Sequence, residues 1–555
     1  MRATAGLSVG GWPSLGRRGF EPWSLAAGMV ATLVAAPIVL VALSLARPSV
    51  DVWRHLWETQ LLALIGHTLA LAAGVGLGVA VLGTGLAWLV TMYRFPGRGL
   101  FEWLLILPLA MPAYVIAFVF LALFDYAGPV QRAARAVTGG PVRGFPDIAS
   151  YGGVVLVMTL VLYPYVYLLA RAAFLEQSAA TLEAARALGV ARPTIFWRIA
   201  LPLARPSIVA GVSLALMEAL ADFGTVAIFN YSTFTVAIYR VWFGLFNRHA
   251  ATELASLLVL FTLGLYAAER ALRGRARFHQ RDSGVRPAPA RRLTGARAAA
   301  ATAGAALVVG VAFVLPVVRL LTWIPGGAAY DARYPHFLGN TLAVAALTAG
   351  VTLLAAVVVA YGLRLSRSST VAVLARIAGM GYALPGSVIA VGVLALLAGL
   401  DRLLGRLSGG AIGLMVTGSV AGLVFAYAVR FLAVSFQTVD ASLLKITPSM
   451  DMAARSLGVR PGGVLRRVHL PLLRRGLFTA ALLVFVDVMK EMPATLLLRP
   501  LGYETLAVRV WQFTSESLWE AAALPALTIV AAGVLPLILL VRESARPLVG
   551  ARDAA

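Results

Sequence analysis

The sequence predicts an all-α integral membrane protein with about twelve transmembrane helices, arranged as two tandem halves of six. Three observations carry this prediction: the composition, a series of long apolar runs, and an internal repeat. Of the 555 residues, 60% are apolar and 13% are charged, whereas soluble globular proteins average about 45–50% and about 25%. This composition excludes a soluble enzyme and a disordered chain. Because the chain contains no cysteine, disulfides, thiolate metal sites and thiol catalysis are excluded as well.

Apolar runs recur along the chain, and most are as long as the ~20 residues that a helix needs to cross a bilayer. The runs lie at 25–46, 61–92, 101–124, 152–174, 206–229 and 253–268, and again at 298–322, 341–363, 371–400, 411–434, 477–498 and 521–541. We interpret the first run as a retained helix. It is long for the core of a cleaved signal, and it has a counterpart at 298–322 in mid-chain.

Charge alternates between the connections that join these runs. Basic residues occupy every second connection, from Arg17 and Arg18 near the start to Arg542 and Arg546 near the end. By the positive-inside rule, this pattern places both termini in the cytoplasm. The net charge of +23 therefore reflects membrane topology and not nucleic-acid binding. Segment 270–297 is the most polar, and we predict a cytoplasmic linker that can contact anionic lipid.

The chain repeats itself in the same orientation. Residues 111–116 match 384–389 at an offset of 273, and residues 184–190 match 453–459 at an offset of 269. Six runs per half is an even number, so the halves share one topology and are expected to enclose a central pathway, as in parallel-repeat transporters. The predicted units are an N-terminal tail with the first transmembrane helix at 1–60, a first repeat at 61–269, the linker at 270–297, a second repeat at 298–545 with its own first helix at 298–322, and a cytoplasmic tail at 546–555.

Pro112 and Pro385 occupy matched positions inside apolar runs of the two halves. Proline removes a backbone hydrogen bond from the helix interior. We therefore expect the two prolines to kink equivalent helices.

A short cytoplasmic motif lies between the fourth and fifth runs of each half. Residues 182–189 read Leu-Glu-Ala-Ala-Arg-Ala-Leu-Gly, residues 451–458 read Asp-Met-Ala-Ala-Arg-Ser-Leu-Gly, and a Leu-Pro pair begins twelve residues after each Gly. The pattern resembles the coupling loop of binding-protein-dependent ABC importer permeases with the type I (MetI-like) fold. The resemblance implies a coupling helix that sits in a groove of a cytoplasmic ATPase. The residues that it assigns to this contact are Glu183, Ala184, Ala185 and Gly189, and Asp451, Ala453, Ala454 and Gly458.

The second copy of the motif departs from the pattern. Met452 takes the position of the motif Glu, and Asp451 stands just before it. We therefore expect the two contacts with the ATPase to differ in strength.

Five charged residues fall inside the fifth predicted run of each half, 206–229 and 477–498. They are Glu218, Asp222, Asp487, Lys490 and Glu491. A charge in the bilayer costs at least a few kcal/mol and rarely faces lipid, and acids four residues apart share one helix face. Pseudo-symmetry would bring both sets together, so these residues form our candidate translocation pathway.

Three interpretations of this charged set remain open. Carboxylates are hard oxygen ligands, so the set can contact a cationic or metal substrate. It can instead form structural pairs, such as Lys490 with Asp487 or Glu491. Finally, the acids can lie near the membrane edge in contact with water.

The residues around these charges resemble fused ferric-iron ABC permeases. The resemblance rests on segments 220–225 and 234–240 of the first half, and on 490–500 and 505–511 of the second, and it extends over about residues 60–545. It implies a permease that moves Fe(III) by alternating access. Similar fused permeases serve thiamine and aminoethylphosphonate, and related ones serve sulfate, molybdate and polyamines, so these solutes remain alternatives.

The sequence contains no Gly-rich loop that ends in Gly-Lys-Ser or Gly-Lys-Thr, the motif that binds ATP phosphates. We expect no catalytic residue, no firmly assigned metal site and no cofactor bound by this chain. The resemblance implies a bacterial cytoplasmic (inner) membrane location and a homodimeric ATPase that binds ATP and Mg²⁺. It also implies a periplasmic or extracellular substrate-binding protein. The rival interpretation is a secondary transporter whose buried carboxylates relay protons, and the duplicated coupling motif argues against it.

Overall fold

The computed structural model describes residues 22–46, 48, 50–140, 144–177, 185, 187–273, 290–326, 331–366, 369–409, 415–459 and 461–544. The N-terminal tail up to residue 21, most of the predicted linker 270–297 and the tail 546–555 lie outside these ranges. The predicted domain boundaries stay predictions.

The described residues form helices joined by short connections, which confirms the all-α membrane fold. Within this part of the chain, ten helices are long and apolar enough to cross a membrane. Of the two remaining predicted runs, 253–268 forms Arg248–Arg273, and 477–498 lies mostly in Leu470–Met489 and ends in the short helix Pro493–Leu498. The second of these helices carries Arg474, Arg475 and Asp487, so its apolar stretch is interrupted by charge.

Among the described residues of the first half, we number eleven helices, α1 to α11. They are α1 (Pro22–Ser44), α2 (Val50–Thr59), α3 (Leu61–Met92), α4 (Arg98–Leu104), α5 (Ala113–Phe124), α6 (Pro129–Thr138), α7 (Tyr151–Glu176), α8 (Leu201–Ala221), α9 (Gly224–Ile228), α10 (Phe234–Gly244) and α11 (Arg248–Arg273). Helix α8 continues upstream through a π-helical turn at Phe196–Ala200 and a helical turn at Arg192–Ile195.

The second half follows a similar order. Its helices are α12 (Gly295–Val309), α13 (Leu315–Trp323), α14 (Tyr334–Leu365), α15 (Ser369–Ala378), α16 (Gly386–Leu407), α17 (Val420–Leu443), α18 (Pro448–Ser456), α19 (Leu470–Met489), α20 (Pro493–Leu498), α21 (Leu506–Ser515) and α22 (Trp519–Ser544). A π-helical turn at Gly310–Val314 joins α12 to α13, and another at Leu465–His469 precedes α19. Two short strands, Tyr93–Arg94 and Arg291–Arg292, pair in parallel.

The matched prolines begin helices and do not kink them, contrary to expectation. Pro112 and Pro385 take extended backbone angles immediately before α5 and α16. Proline lacks the N–H that a helix interior needs but is tolerated at a helix start. The run predicted at 101–124 is accordingly divided into α4, a 3₁₀ turn at Leu107–Ala110 and α5.

Two hydrophobic clusters form the core, and each includes helices from the other half. Residues of α3, α5 and α7 pack with Ala301 and Ala305 of α12. Residues of α14, α16, α17 and α19 pack with Val34 and Val41 of α1. Helix α1 approaches α16 closely at Gly392, where an added Cβ would lie 2.5 Å from the carbonyl oxygen of Pro37. The first helix of each half therefore packs on the opposite half, which joins the two halves through buried apolar surface.

Candidate functional site

A cavity of about 110 Å³ lies between the two halves and has room for several water molecules. Helix α8 and the turn after it contribute from the first half, and α17 and the end of α19 contribute from the second half. All five residues of the predicted pathway line it, namely Glu218, Asp222, Asp487, Lys490 and Glu491. The structure therefore brings together the two charged sets that the repeat relates.

Asp222 and Glu491 are matched in the repeat, and both bind the start of a short helix. Asp222 Oδ1 accepts hydrogen bonds from the backbone N–H of Thr225, at 2.8 Å, and of Val226, at 3.3 Å. Glu491 accepts from the backbone N–H of Ala494 at 3.2 Å. Carboxylates at these positions satisfy N–H groups that a helix start leaves without a partner.

This arrangement corrects the sequence-based geometry of the charged set. Helix α8 ends at Ala221 and α19 ends at Met489, so Asp222 and Glu491 lie beyond the helices on which a shared face was expected. The reason is that each acid side chain competes for backbone N–H groups and favours a break over helix continuation.

Glu491 also forms a buried ion pair with Arg430 of α17. The Arg430 Nη1 to Glu491 Oε1 distance is 2.7 Å, and the two side chains are 11% and 2% exposed. Gly386 faces this pair, and a Cβ at Gly386 would overlap both charged groups. Sequence reasoning missed Arg430, although an arginine inside the apolar run 411–434 was an available signal.

Two further contacts occupy the remaining carboxylates. Lys490 Nζ lies 2.9 Å from Asp487 Oδ1, with side chains 32% and 20% exposed. The Tyr382 hydroxyl donates to Glu218 Oε1 at 2.7 Å and so joins the second half to the first. The sequence suggested the Lys490 pair, but tyrosines in apolar runs carry too weak a signal to have identified Tyr382.

Charge and ligand type limit what this cavity can bind. It holds four carboxylates and two cationic side chains, a formal charge of −2, together with the phenol groups of Tyr165 and Tyr382. Among the described residues, no three His, Cys, Asp or Glu side chains converge in a way that could hold a metal ion. The four carboxylates are therefore dispersed oxygen ligands, and each has at least one oxygen in an ion pair or hydrogen bond.

The second coupling motif lies on α18 and the turn that ends it. Gly458 has a φ of 78°, a left-handed conformation that glycine adopts without strain. Ala453 is exposed and Ala454 is buried. Asp451 turns inward and contacts His469 and Arg364.

The first coupling motif is only partly within the described ranges. Glu183 and Ala184 lie outside them, while Ala185 is buried. Gly189 repeats the left-handed turn with a φ of 74°. Leu188 and Leu457, which are matched in the repeat, are each 83% exposed.

Electrostatics favour the ionised form of Asp451. Burial alone would raise the pKa of this carboxyl, but hydrogen bonds from His469 and Arg364, and the positive charge beside it, lower the pKa below its usual value. Asp451 is therefore a carboxylate, and each of its oxygens has a partner.

Comparison with known proteins identifies membrane permeases of transport systems as relatives of this chain. Residues 74–277 match the family described as binding-protein-dependent transport system inner membrane component. The Fe(3+)-transport system permease FbpB 2 of Haemophilus influenzae is 27% identical over 491 residues, which cover 87% of this chain and 90% of that protein. The match extends across both halves, which confirms the resemblance to fused permeases.

Relatives that transport other solutes match a smaller part of the chain. The sulfate permease CysT of Escherichia coli is 30% identical over 203 residues, 36% of this chain and 69% of CysT. The molybdenum permease ModB of the same organism is 30% identical over 176 residues, 31% of this chain and 71% of ModB. With its apolar helices, cavity and duplicated cytoplasmic motif, the chain belongs to the family of binding-protein-dependent transport system inner membrane components, as the multi-pass inner membrane permease of an ABC importer.

Proposed function

We propose that this permease moves Fe(III) inward by alternating access between its two halves. The observation that carries the proposal is the acidic cavity, with four carboxylates against two cations. A surplus of carboxylate repels an oxyanion such as sulfate or molybdate and attracts a cation. Carboxylate and phenol oxygens are ligands that hard metal ions prefer. The similarity to FbpB 2 over most of both chains supports the same substrate.

The pairing of the carboxylates suggests how a cation would pass. The Lys490–Asp487 pair is the more exposed of the two ion pairs in the cavity. Exposed ion pairs are weak, so Asp487 is the carboxylate that exchanges its partner for a substrate cation most readily. The contact between Tyr382 and Glu218 crosses from one half to the other. It has to open when the halves move apart. Translocation then exchanges internal partners for the substrate and requires no covalent chemistry.

We further propose the partners that drive this cycle. A homodimeric cytoplasmic ATPase, which binds ATP and Mg²⁺, would contact both motif loops, and both termini of the permease would lie on the same side. The matched exposure of Leu188 and Leu457 supports a partner that presents two equivalent surfaces. A periplasmic or extracellular binding protein would deliver substrate to the opposite face. The chain itself would bind no cofactor.

ATP-dependent uptake in reconstituted vesicles tests the proposal. The vesicles would contain the permease, its neighbouring ATPase and its binding protein, and labelled Fe(III), molybdate, sulfate and thiamine would be offered separately. We expect Fe(III) uptake that requires ATP hydrolysis. ATP-dependent uptake of another solute without Fe(III) would overturn the substrate and retain the class. Uptake that follows a proton gradient without ATP would overturn the proposed mechanism.

A pair of substitutions tests the role of the cavity. In Glu218→Gln combined with Asp487→Asn, two cavity charges are removed with little change in volume, and we expect Fe(III) uptake to fall about tenfold or more, an effect of ~1.4 kcal/mol. Asp440→Asn removes a carboxylate from α17 that does not line the cavity, so it serves as the matched control. A double variant that loses thermal stability but keeps the uptake rate would favour a purely structural role for the acids.

A further inference from the structure

A polar network connects α18, the helix that carries the second coupling motif, to the membrane helices. Asp451 of α18 accepts from His469 Nε2 at 2.6 Å and from Arg364 Nη2 at 3.0 Å. His469 lies in the π-helical turn before α19, and Arg364 lies in the last turn of α14. One carboxylate therefore joins three elements that are distant in sequence.

The network continues to a fourth element. Arg364 donates from Nη1 to the carbonyl oxygen of Leu443, at 2.8 Å, and from Nη2 to that of Ile446, at 3.1 Å, where α17 has just ended. His469 Nδ1 lies 3.2 Å from the Tyr361 hydroxyl. Arg364 therefore donates to backbone carbonyls at the end of α17, where the regular helical hydrogen bonds cease.

The matched positions of the first half do not carry the residues of this network. At the offsets of the repeat, Asp451 falls on Leu182, His469 on Ala200 and Arg364 on Thr91; Tyr361 falls on Trp88. None of these four is an acid or a base. In place of a polar contact, the Trp88 ring packs against Phe174 and Phe196, with centroids 5.2 Å and 4.9 Å away.

The orientation of α18 separates Asp451 from the side that the ATPase can reach. The Asp451 side chain is 23% exposed and bonded inward. Met452, at the position of the motif Glu, is 56% exposed. Asp451 therefore does not replace the missing motif Glu by reaching outward.

We propose that Asp451 is a positioning residue that fixes the second coupling helix to α14, α17 and α19 through Arg364 and His469. Helix α18 has nine residues, too few to be stable without tertiary contacts. Movement of the ATPase against α18 reaches the membrane helices through these polar contacts. In the first half, the ring packing of Trp88 with Phe174 and Phe196 stands at the matched position of Tyr361. The inference rests on the proposed contact between α18 and an ATPase.

The test measures transported substrate per ATP hydrolysed in the reconstituted complex of permease, ATPase and binding protein. We expect Asp451→Asn to lower this ratio about tenfold, an effect of ~1.4 kcal/mol, and Asp451→Glu, which keeps the carboxylate, to restore most of it. Asp440→Asn is the matched control and is expected to leave the ratio unchanged. A wild-type ratio in Asp451→Asn would overturn the proposal.

A second measurement does not depend on transport. Because the chain has no cysteine, Met452→Cys provides a single site for a spin label on α18. We expect the label to move more freely when Asp451→Asn or His469→Gln is added, in the full-length permease without ATPase. Unchanged label mobility would overturn the proposal even if no substrate were transported. If the wild-type complex shows no ATP-dependent uptake while label mobility rises as expected, the proposed function is wrong and the positioning role stands.

Discussion

Breaking the buried pair of Arg430 and Glu491 is expected to destabilise the permease strongly. In Arg430→Met the guanidinium is lost while the Glu491 side chain, 2% exposed, keeps only hydrogen bonds from its own short helix. Removing one partner of a buried ion pair costs about 3–5 kcal/mol, because the other charge is left in a poorly solvated site. We expect a loss of that size in the free energy of unfolding.

A second variant separates the charge effect from lost packing. Glu491→Gln added to Arg430→Met removes the unpaired charge and keeps an amide oxygen that can accept from Ala494 and Thr495. We expect the double variant to lie within about 2 kcal/mol of the wild type, since apolar replacement of a whole buried pair is often nearly neutral. The difference between the double variant and the sum of the single variants then measures the coupling of the pair.

The assay is reversible unfolding of the full-length permease by SDS in mixed micelles. Lys490→Met is the comparison, because the Lys490–Asp487 pair is partly exposed and is expected to contribute no more than about 1 kcal/mol. The reasoning is refuted if Arg430→Met costs no more than Lys490→Met, or if the double variant is as unstable as the two single variants added together.

Three further predictions use the same unfolding assay. Gly386→Ala is expected to cost about 1–3 kcal/mol, since its methyl group would overlap Arg430 and Glu491; a neutral result would mean that the pair moves without strain. Gly458→Ala is expected to cost about 1–2 kcal/mol, because its φ of 78° is unfavourable for a residue with a Cβ while no atom lies within 4 Å of that position. The pKa of Asp451 is lowered in the folded state, so its contribution is complete above the unfolded pKa of about 3.9 and is lost as the pH falls further. The stability difference between the wild type and Asp451→Asn should therefore narrow in acid, and a constant difference would contradict the pairing.

Several features of the candidate site follow from the sequence because they depend on local composition and on the repeat. Carboxylates are rare in membrane runs, so Glu218 and Asp487 were conspicuous, and the common offset placed them in equivalent helices. The cavity between the halves holds both. The coupling motifs were identified in the same way, from residue types and spacing.

The partners of these side chains could not be predicted from composition or from the repeat. Arg430 is 61 residues from Glu491, and Tyr382 is 164 residues from Glu218, so neither contact leaves a local pattern. The sequence also left Asp451 beside an apparently missing motif Glu, while the structure shows it bonded inward to Arg364.

The sequence by itself determined that this is a membrane protein of two repeated halves with duplicated cytoplasmic motifs and matched acids, because hydropathy, charge and repetition are properties of the chain. Only the tertiary structure decided which charged side chains form pairs and where α8 and α19 end. It also decided that α1 packs on the second half and α12 on the first. The physical reason is that these outcomes depend on distances between remote segments. An acidic side chain can pair with backbone N–H groups at a helix start, with a buried guanidinium or with a group on a facing helix. Packing selects among these partners.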